Sequence, residues 1–508
     1  MLLGRHLPPF LRSRRAFSAL TPRQLASLEA EVLQQLQLVK DDLVGVDLPS
    51  LGRVKNLQIS DSHVVSCSID SPSPVLPQNE KWVAQATDCI KSLPWVKDAA
   101  VSISHPTPRN SQASRLSSLA NVGNVVAVSS CKGGVGKSTV AVNLAFALSK
   151  RGARVGILDA DIYGPSLPTM VSPSDVAIRK SKANPNFVVP VTFESVQCMS
   201  FGFVNSKAAP GAGGKGAAVM RGAMVSKVID QLVLGTEWGT LDYLVIDMPP
   251  GTGDIHMSLA QQVAITTAVI VTTPQKLSFV DVEKGISMFE NLKVPTSAVV
   301  ENMSYFDCEH GHRHYPFGHG YLEKLQSQFN IQHTFKLPMS EAMSASADTG
   351  RYLASVLLMA NRISITCSPL VLGDALQDVA AIYDHLAVTV AEECVKLKHL
   401  ARAAPELLYD KTRGMILRFY GVDSAEEIVL SPIDLRARCR CAQCIEEFTG
   451  RQVLDPTAIP DDIRPTAVQR KGNYAFAVVW SDGHSSSLYT FEHLRQLAKE
   501  VQAPATQD

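Results

Sequence analysis

The sequence carries no excess of charge of either sign: 48 Lys and Arg balance 48 Asp and Glu over 508 residues. A global field of the kind that draws a chain to nucleic acid or to an anionic membrane is missing, so neither partner is expected. No uninterrupted apolar run reaches the roughly 18 residues that a bilayer-spanning helix needs, and stable membrane insertion is not expected. Nothing resembles the apolar core of a secretory signal, so the ten cysteines read as thiols or metal ligands and not as a disulfide framework. Acidic residues are absent before Glu29, where Arg5, Arg12, Arg14, Arg15 and Arg23 stand among Leu, Phe, Ser and Ala. That composition predicts an organelle presequence over residues 1–20, for the mitochondrial matrix with the plastid stroma as the alternative. An uncleaved basic tail is the other reading.

What is present centres on one stretch. The valine-rich run Val125–Val128 leads into Ser129-Ser130-Cys131-Lys132-Gly133-Gly134-Val135-Gly136-Lys137-Ser138-Thr139, and an apolar helical pattern follows from Val140 to Leu148. Strand, glycine loop and helix in that order make an anion cradle: the glycines let backbone N–H groups turn inward, and the helix N-terminus adds its own unpaired donors. The candidate nucleotide-binding residues are therefore Cys131, Lys132, Gly133, Gly134, Val135, Gly136, Lys137, Ser138 and Thr139. In that loop Lys137 reaches the outer phosphates of ATP and Ser138 holds Mg2+. The ordinary pattern has glycine where this chain has Cys131.

Two further apolar strands end in carboxylates. Arg154–Leu158 delivers Asp159 and Asp161, and Tyr243–Ile246 delivers Asp247 ahead of Met248-Pro249-Pro250-Gly251-Thr252-Gly253-Asp254. A carboxylate at the carboxyl end of a parallel strand faces the ligand crevice. Asp161 is the candidate for orienting the attacking water, Asp159 for supporting the Mg2+ shell and Asp247 for fixing it, with helix capping as the plain alternative for each. Strands at Ala268–Val271 and Ser297–Val300 follow, the second leading to Asn302, a candidate reader of the adenine edge or else a helix cap.

With about 150 residues per domain, length predicts about three domains. Residues 21–106 alternate helix and strand patterns as a small α/β domain, in which Cys67 is either reactive or a buried small hydrophobe. Residues 107–121 read as a Ser- and Pro-rich linker, 122–396 as the P-loop ATPase and 397–508 as a second small domain. The last contains Arg438-Cys439-Arg440-Cys441-Ala442-Gln443-Cys444, three thiols in one loop with arginines that favour thiolates. Cys439, Cys441 and Cys444 are candidate ligands of a soft metal or an iron–sulfur cluster with a fourth ligand from elsewhere; a structural zinc or inert thiols are the alternatives.

From Asn124 to about Cys394 the chain resembles the Mrp family of P-loop iron–sulfur carriers, in particular the high-chlorophyll-fluorescence type. The matching residues are Ser130 to Gly134, Asp159 to Pro168, Arg221-Gly222, Asp247 to Asp254, Thr272 to Lys276 and Val300 to Asn302. Lys-Gly-Gly-Val-Gly-Lys-Ser-Thr is the deviant loop of MinD-like and Mrp-like ATPases. The resemblance implies that Lys132 acts across a homodimer on the partner's nucleotide, so that Lys132, Lys137, Asp161 and Asp247 form the catalytic set. The implied fold is a doubly wound parallel sheet, MinD-like, flanked by two small α/β domains. The implied function is the ATP-dependent carriage of a 4Fe-4S cluster from upstream scaffolds to apo iron–sulfur proteins. Residues 21–106 resemble the iron–sulfur assembly domain fused ahead of such ATPases, with Asp70-Ser71-Pro72-Ser73-Pro74 where that family has its reactive cysteine. Cys131 and Cys394 match cysteines of the high-chlorophyll-fluorescence type, which makes Cys394 a candidate ligand. The bridging Cys-x-x-Cys pair of many relatives is reduced here to Cys308, because Gly311 stands at the second position. The rival from another class is a MinD-like positioning switch without a cluster, which would need a basic amphipathic C-terminal helix to hold a membrane.

Overall fold

The computed structural model describes residues 21–108, 118–204, 222–340, 374–402 and 405–502, apart from positions 172, 174, 183, 421–424, 442, 447–450 and 472–474. The presequence reading over residues 1–20 and the match at Arg221 lie outside the described residues. Contacts divide the chain into two compact units, Met1–Pro72 with Pro77–Pro106, and Ser73–Leu76 with Thr107–Asp508.

In the first unit, helix α1 (Pro22–Leu36) starts on a capping box: the Thr21 hydroxyl accepts from the Gln24 backbone and the Gln24 side chain accepts from the Thr21 N–H. Strands β1 (Val54–Ile59), β2 (Val64–Asp70) and β3 (Asp98–Ser104) form a three-stranded sheet in that order, with helix α2 (Gln78–Lys91) between β2 and β3. Cys67 faces the core of this unit beside Trp82 and Ile90. Burial pushes its thiol up to about 11. The buried-hydrophobe reading of Cys67 is the one its surroundings satisfy.

The second unit is built on a nine-stranded sheet. Its strands are β4 (Val122–Ser129), β5 (Val155–Asp159), β6 (Val191–Phe193), β7 (Val196–Ser200), β8 (Leu241–Asp247), β9 (Thr267–Thr272), β10 (Thr296–Asp307), β11 (Arg313–His314) and β12 (Thr334–Pro338). They lie in the order β6-β7-β5-β8-β4-β9-β10-β11, with β12 on β10. The stretch from β7 to β10 is parallel throughout, and β6 and β11 are antiparallel edges. Parallel strands covered on both faces bury every side chain, which is why β4, β5, β8 and β9 read as unbroken apolar runs and have every residue buried.

Helix α3 (Lys137–Lys150) is buried from Val140 to Leu148 and has little amphipathic character, as a helix covered on all sides requires. Helix α4 (Asp374–Arg402) lies against it, and Arg151 at its end pairs with Asp384 at 2.7 and 2.6 Å. After β8 comes α5 (Asp254–Gln262), and after β9 comes α6 (Lys276–Asn291). The doubly wound α/β sheet expected from the sequence is present.

The C-terminal part has its own hydrophobic cluster. Two three-stranded antiparallel sheets, β13 (Glu406–Asp410), β14 (Gly414–Tyr420), β15 (Ala425–Leu430) and β16 (Pro465–Lys471), β17 (Ala475–Trp480), β18 (Ser487–Thr490), carry α7 (Pro432–Ala437) and the closing helix α8 (Phe491–Gln502). The apolar stripe of α8, Phe491, Leu494 and Leu497, is buried in that cluster. Among the described residues this stripe packs the domain, which leaves the positioning-switch rival the less supported reading.

Candidate functional site

At the carboxyl end of the sheet, register brings the predicted residues together. β8 lies between β5 and β4, with Asp247 opposite Asp159 on one side and opposite Val128 on the other. The loop from β4 to α3 therefore rises beside both carboxylates. Gly134 and Gly136 adopt left-handed conformations, φ +76° and +83°, which turn successive N–H groups to one side. Lys132, Gly133 and Gly134 are exposed, so the cradle is open to a ligand.

Lys137 and Asp247 form an ion pair with almost no exposed surface, and the Lys137 ammonium lies 3.4 Å from the Ser138 hydroxyl. Burial raises the Asp247 carboxyl and the lysine draws it back down. A buried pair of this kind leaves an uncompensated charge if one member is removed.

Asp159 is buried at the end of β5. Its oxygens accept from the backbone N–H groups of Asp161 (3.0 Å), Ser166 (3.0 Å) and Leu167 (3.1 Å) and from the Ser200 hydroxyl (3.1 Å). Burial and the neighbouring Asp247 push its carboxyl up to about 7. It is a buried knot that shapes the 161–167 loop. Asp161, partly exposed on that loop, accepts from the Gly164 N–H at 3.1 Å and is free to face the crevice.

Asn302 corrects the helix-cap reading made from sequence. It stands inside β10 and caps no helix, and its amide donates to the Val135 carbonyl at 2.9 Å. A Cβ at residue 136 would lie 2.2 Å from that amide nitrogen. Met303 is left-handed (φ 56°), and the pairing of β10 with β12 slips between Glu301 and Tyr305. This bulge is the local feature that turns Asn302 toward the loop. Asn302 thus braces the phosphate loop.

The thiols separate into three environments. Cys131 packs on α6, where a Cβ at Gly285 would lie 2.2 Å from its sulfur, and burial pushes the thiol up to about 11. Cys394 is 1% exposed inside α4, and burial pushes it up to about 12. Among the described residues it belongs to no group of three or more converging metal-ligating side chains. Cys308 lies in the exposed β10–β11 hairpin, where His314 and the backbone of His310 and His312 lower its thiol.

Cys439, Cys441 and Cys444 do converge, and His484, which no motif singles out, completes the set. The four ligand atoms lie within 4.8 Å of one another, the His484 Nε2 being 3.5, 3.4 and 3.7 Å from the three sulfurs in order. A tetrahedral zinc with bonds of about 2.3 Å to sulfur sets its ligands about 3.8 Å apart. A 4Fe-4S cluster spreads its cysteines wider, because each binds a different iron of the cubane. The spacing fits a single ion, the structural-zinc alternative named for this loop. Arg436 supports the centre, contacting the Cys444 sulfur at 3.4 Å and donating to Asp482 at 2.9 Å. Ser486 donates to the Cys441 sulfur at 3.3 Å. Such outer partners fix ligand orientation.

Residues 121–364 match the family model described as ParA, NUBPL iron-transfer P-loop NTPase. Residues 29–103 match that of an iron-sulfur cluster assembly protein, and residues 410–495 that of gamma-butyrobetaine hydroxylase-like, N-terminal. The chain is 43% identical, over 97% of its length and 87% of the relative's, to the Oryza sativa subsp. japonica protein named Fe-S cluster assembly factor HCF101, chloroplastic. Its Arabidopsis thaliana counterpart is 42% identical with the same coverage. The Pseudomonas fragi iron-sulfur cluster carrier protein is 42% identical over 59% of this chain and 96% of its own. Among solved structures, the Archaeoglobus fulgidus nucleotide-binding protein in complex with ADP is 36% identical, covering 46% of this chain and 88% of that one with a TM-score of 0.39.

Proposed function

Since this chain belongs to the family of P-loop iron–sulfur cluster carriers and matches its HCF101 members along nearly its whole length, we propose that it couples ATP hydrolysis to the hand-over of a cluster to apoproteins. It is an ATP-dependent iron–sulfur cluster carrier. The observation that carries the coupling is the buried Lys137–Asp247 pair at the base of an open phosphate cradle. Nucleotide must break this pair to bind, so occupancy of the cradle is read directly at the Asp247–Gly253 loop.

Residues Lys137, Ser138 and Asp247 fit Mg-ATP: a lysine for the outer phosphates, a hydroxyl and a carboxylate for the metal shell. Bound Mg2+ supplies charge neutralisation at the outer phosphates. Asp161 orients the attacking water and Lys132 completes the site of a second copy in a homodimer. For the cargo, the half-buried Cys308 thiol beside His314 is the contact we assign, one from each subunit. The Cys439, Cys441, Cys444 and His484 centre holds a single structural ion, zinc by its thiolate and imidazole donors. The two long relatives, both named as chloroplastic, support the plastid over the mitochondrial matrix as the destination encoded by residues 1–20.

The test is anaerobic reconstitution with iron and sulfide, followed by transfer to an apo-ferredoxin with and without Mg-ATP. Transfer that ATP accelerates supports the coupling. Transfer at the same rate with ATP, ADP and no nucleotide counts against it.

A further inference from the structure

One buried group beside the nucleotide site has a free polar atom. His256 lies in the first turn of α5, 1% exposed, with its backbone N–H on the Gly253 carbonyl at 3.0 Å. Its ring donates to the backbone carbonyl of Pro249, and among the described residues its Nε2 has no partner. The donor is therefore Nδ1, and Nε2 is a buried acceptor left open. Burial, together with the positive charge of Lys137, brings the imidazole down to about 4, so the ring is neutral at physiological pH. A core histidine that merely fills space would have both nitrogens satisfied or one of them facing solvent.

The placement is specific. Pro249 follows Asp247 by two residues, and the segment from Pro249 to Gly253 is otherwise tied to the phosphate loop by the Gly251 N–H on the Ser130 carbonyl at 3.1 Å. The ring thus ties the far end of this loop to its beginning, within the field of the lysine that binds phosphate.

We propose that His256 is a positioning residue for ATP hydrolysis: through Nδ1 it fixes the Pro249 carbonyl and hence the loop after Asp247, and through Nε2 it holds one ordered water on the Lys137 side. A buried polar atom without a protein partner is where such a water belongs. The inference rests on the reading of this chain as an ATPase. When nucleotide draws Lys137 away from Asp247, the loop is kept in register by His256 while the carboxylate turns to the metal shell. Its effect falls on turnover and not on nucleotide affinity.

Steady-state hydrolysis by the full chain, compared for wild type, His256→Leu and His256→Gln, tests this. His256→Leu keeps the volume and removes both polar atoms; kcat is expected to fall about tenfold, with KM for MgATP changed less than about twofold. His256→Gln, whose amide can donate to Pro249 and accept from water, is expected to recover most of the loss. Unchanged kcat in His256→Leu, a loss confined to KM, or equal impairment of both variants would overturn the proposal. Ring 15N resonances of the wild type read the same site without a substitution: Nδ1 protonated, Nε2 bare, and the Nε2 signal moved by MgADP. An Nε2–H tautomer, or a ring signal blind to nucleotide, overturns it as well. A wild type that hydrolyses nothing removes both this proposal and the ATPase reading, whereas hydrolysis untouched by His256→Leu removes this one alone.

Discussion

The nucleotide cradle and the C-terminal thiol centre both gather buried charge, and they close in opposite ways. In the cradle one pair, Lys137 and Asp247, is buried at the base while Lys132, Gly133 and Gly134 stay exposed above it. In the thiol centre four ligand atoms surround one point, and Arg436, Asp482 and Ser486 support them from outside. A site that exchanges its occupant keeps a position open; a site that holds the fold together fills every position. The difference assigns exchange to the ATPase domain and permanence to the C-terminal domain.

The comparison breaks most readily at its centre. Lys137→Ala strips Asp247 of its partner and the phosphates of their cation, and hydrolysis by the full chain is expected to fall by about a thousandfold or more, as removal of a transition-state charge partner does. A variant with a tenth of wild-type turnover would show that the pair is structural only. Next in size is the thiol centre. Removing zinc with a chelator, or substituting His484→Ala or Cys444→Ala, should melt the C-terminal domain at least about 10 °C lower, because a structural metal contributes folding energy outright. Hydrolysis should persist. A melting profile unaffected by chelator would mean that the four ligands are held by packing alone.

Smaller effects sharpen the division. Cys394→Ala removes a buried sulfur from α4 and should cost about 1–2 kcal/mol in chemical denaturation while leaving bound iron and zinc unchanged. Loss of metal on this substitution would return Cys394 to the ligand set. Arg151→Met breaks the tie from α3 to α4 and should cost at most about 1 kcal/mol, since both partners are partly exposed. The Arg151 guanidinium holds Asp384 below the usual carboxylate range. A carboxyl lowered on folding contributes stability above its unfolded value and loses it as pH falls through the folded one. The difference between wild type and Arg151→Met should therefore be present at pH 7 and fade below about pH 4.

The sheet was legible because parallel strands buried on both faces are continuous apolar runs, and three of them end in the residues that matter, Cys131, Asp159 and Asp247. The β6–β7 hairpin was missed, and the reason is local. Its two turn residues, Glu194 and Ser195, adopt φ +42° and +72° with side chains that rarely announce such a turn. Asn302 was found but its contact with the phosphate loop was not, because a left-handed Met303 redirects it and no pattern in Val300-Glu301-Asn302-Met303 signals that. Cys439, Cys441 and Cys444 were visible as a spacing. His484 was not, since it reaches them only through the turn between β17 and β18, and a lone histidine after Ser481-Asp482-Gly483 reads as an ordinary loop residue. The choice between ion and cluster was likewise out of reach of sequence, because it depends on distances between atoms and not on residue types.

The most direct measurement is metal analysis of the anaerobically reconstituted chain for wild type, Cys308→Ala and Cys441→Ala, counting zinc, iron and acid-labile sulfide in each. Iron and sulfide lost in Cys308→Ala but retained in Cys441→Ala, with zinc lost only in the latter, is the predicted result. Iron and sulfide lost in Cys441→Ala and retained in Cys308→Ala would place the cargo in the C-terminal loop and contradict the separation of the two sites.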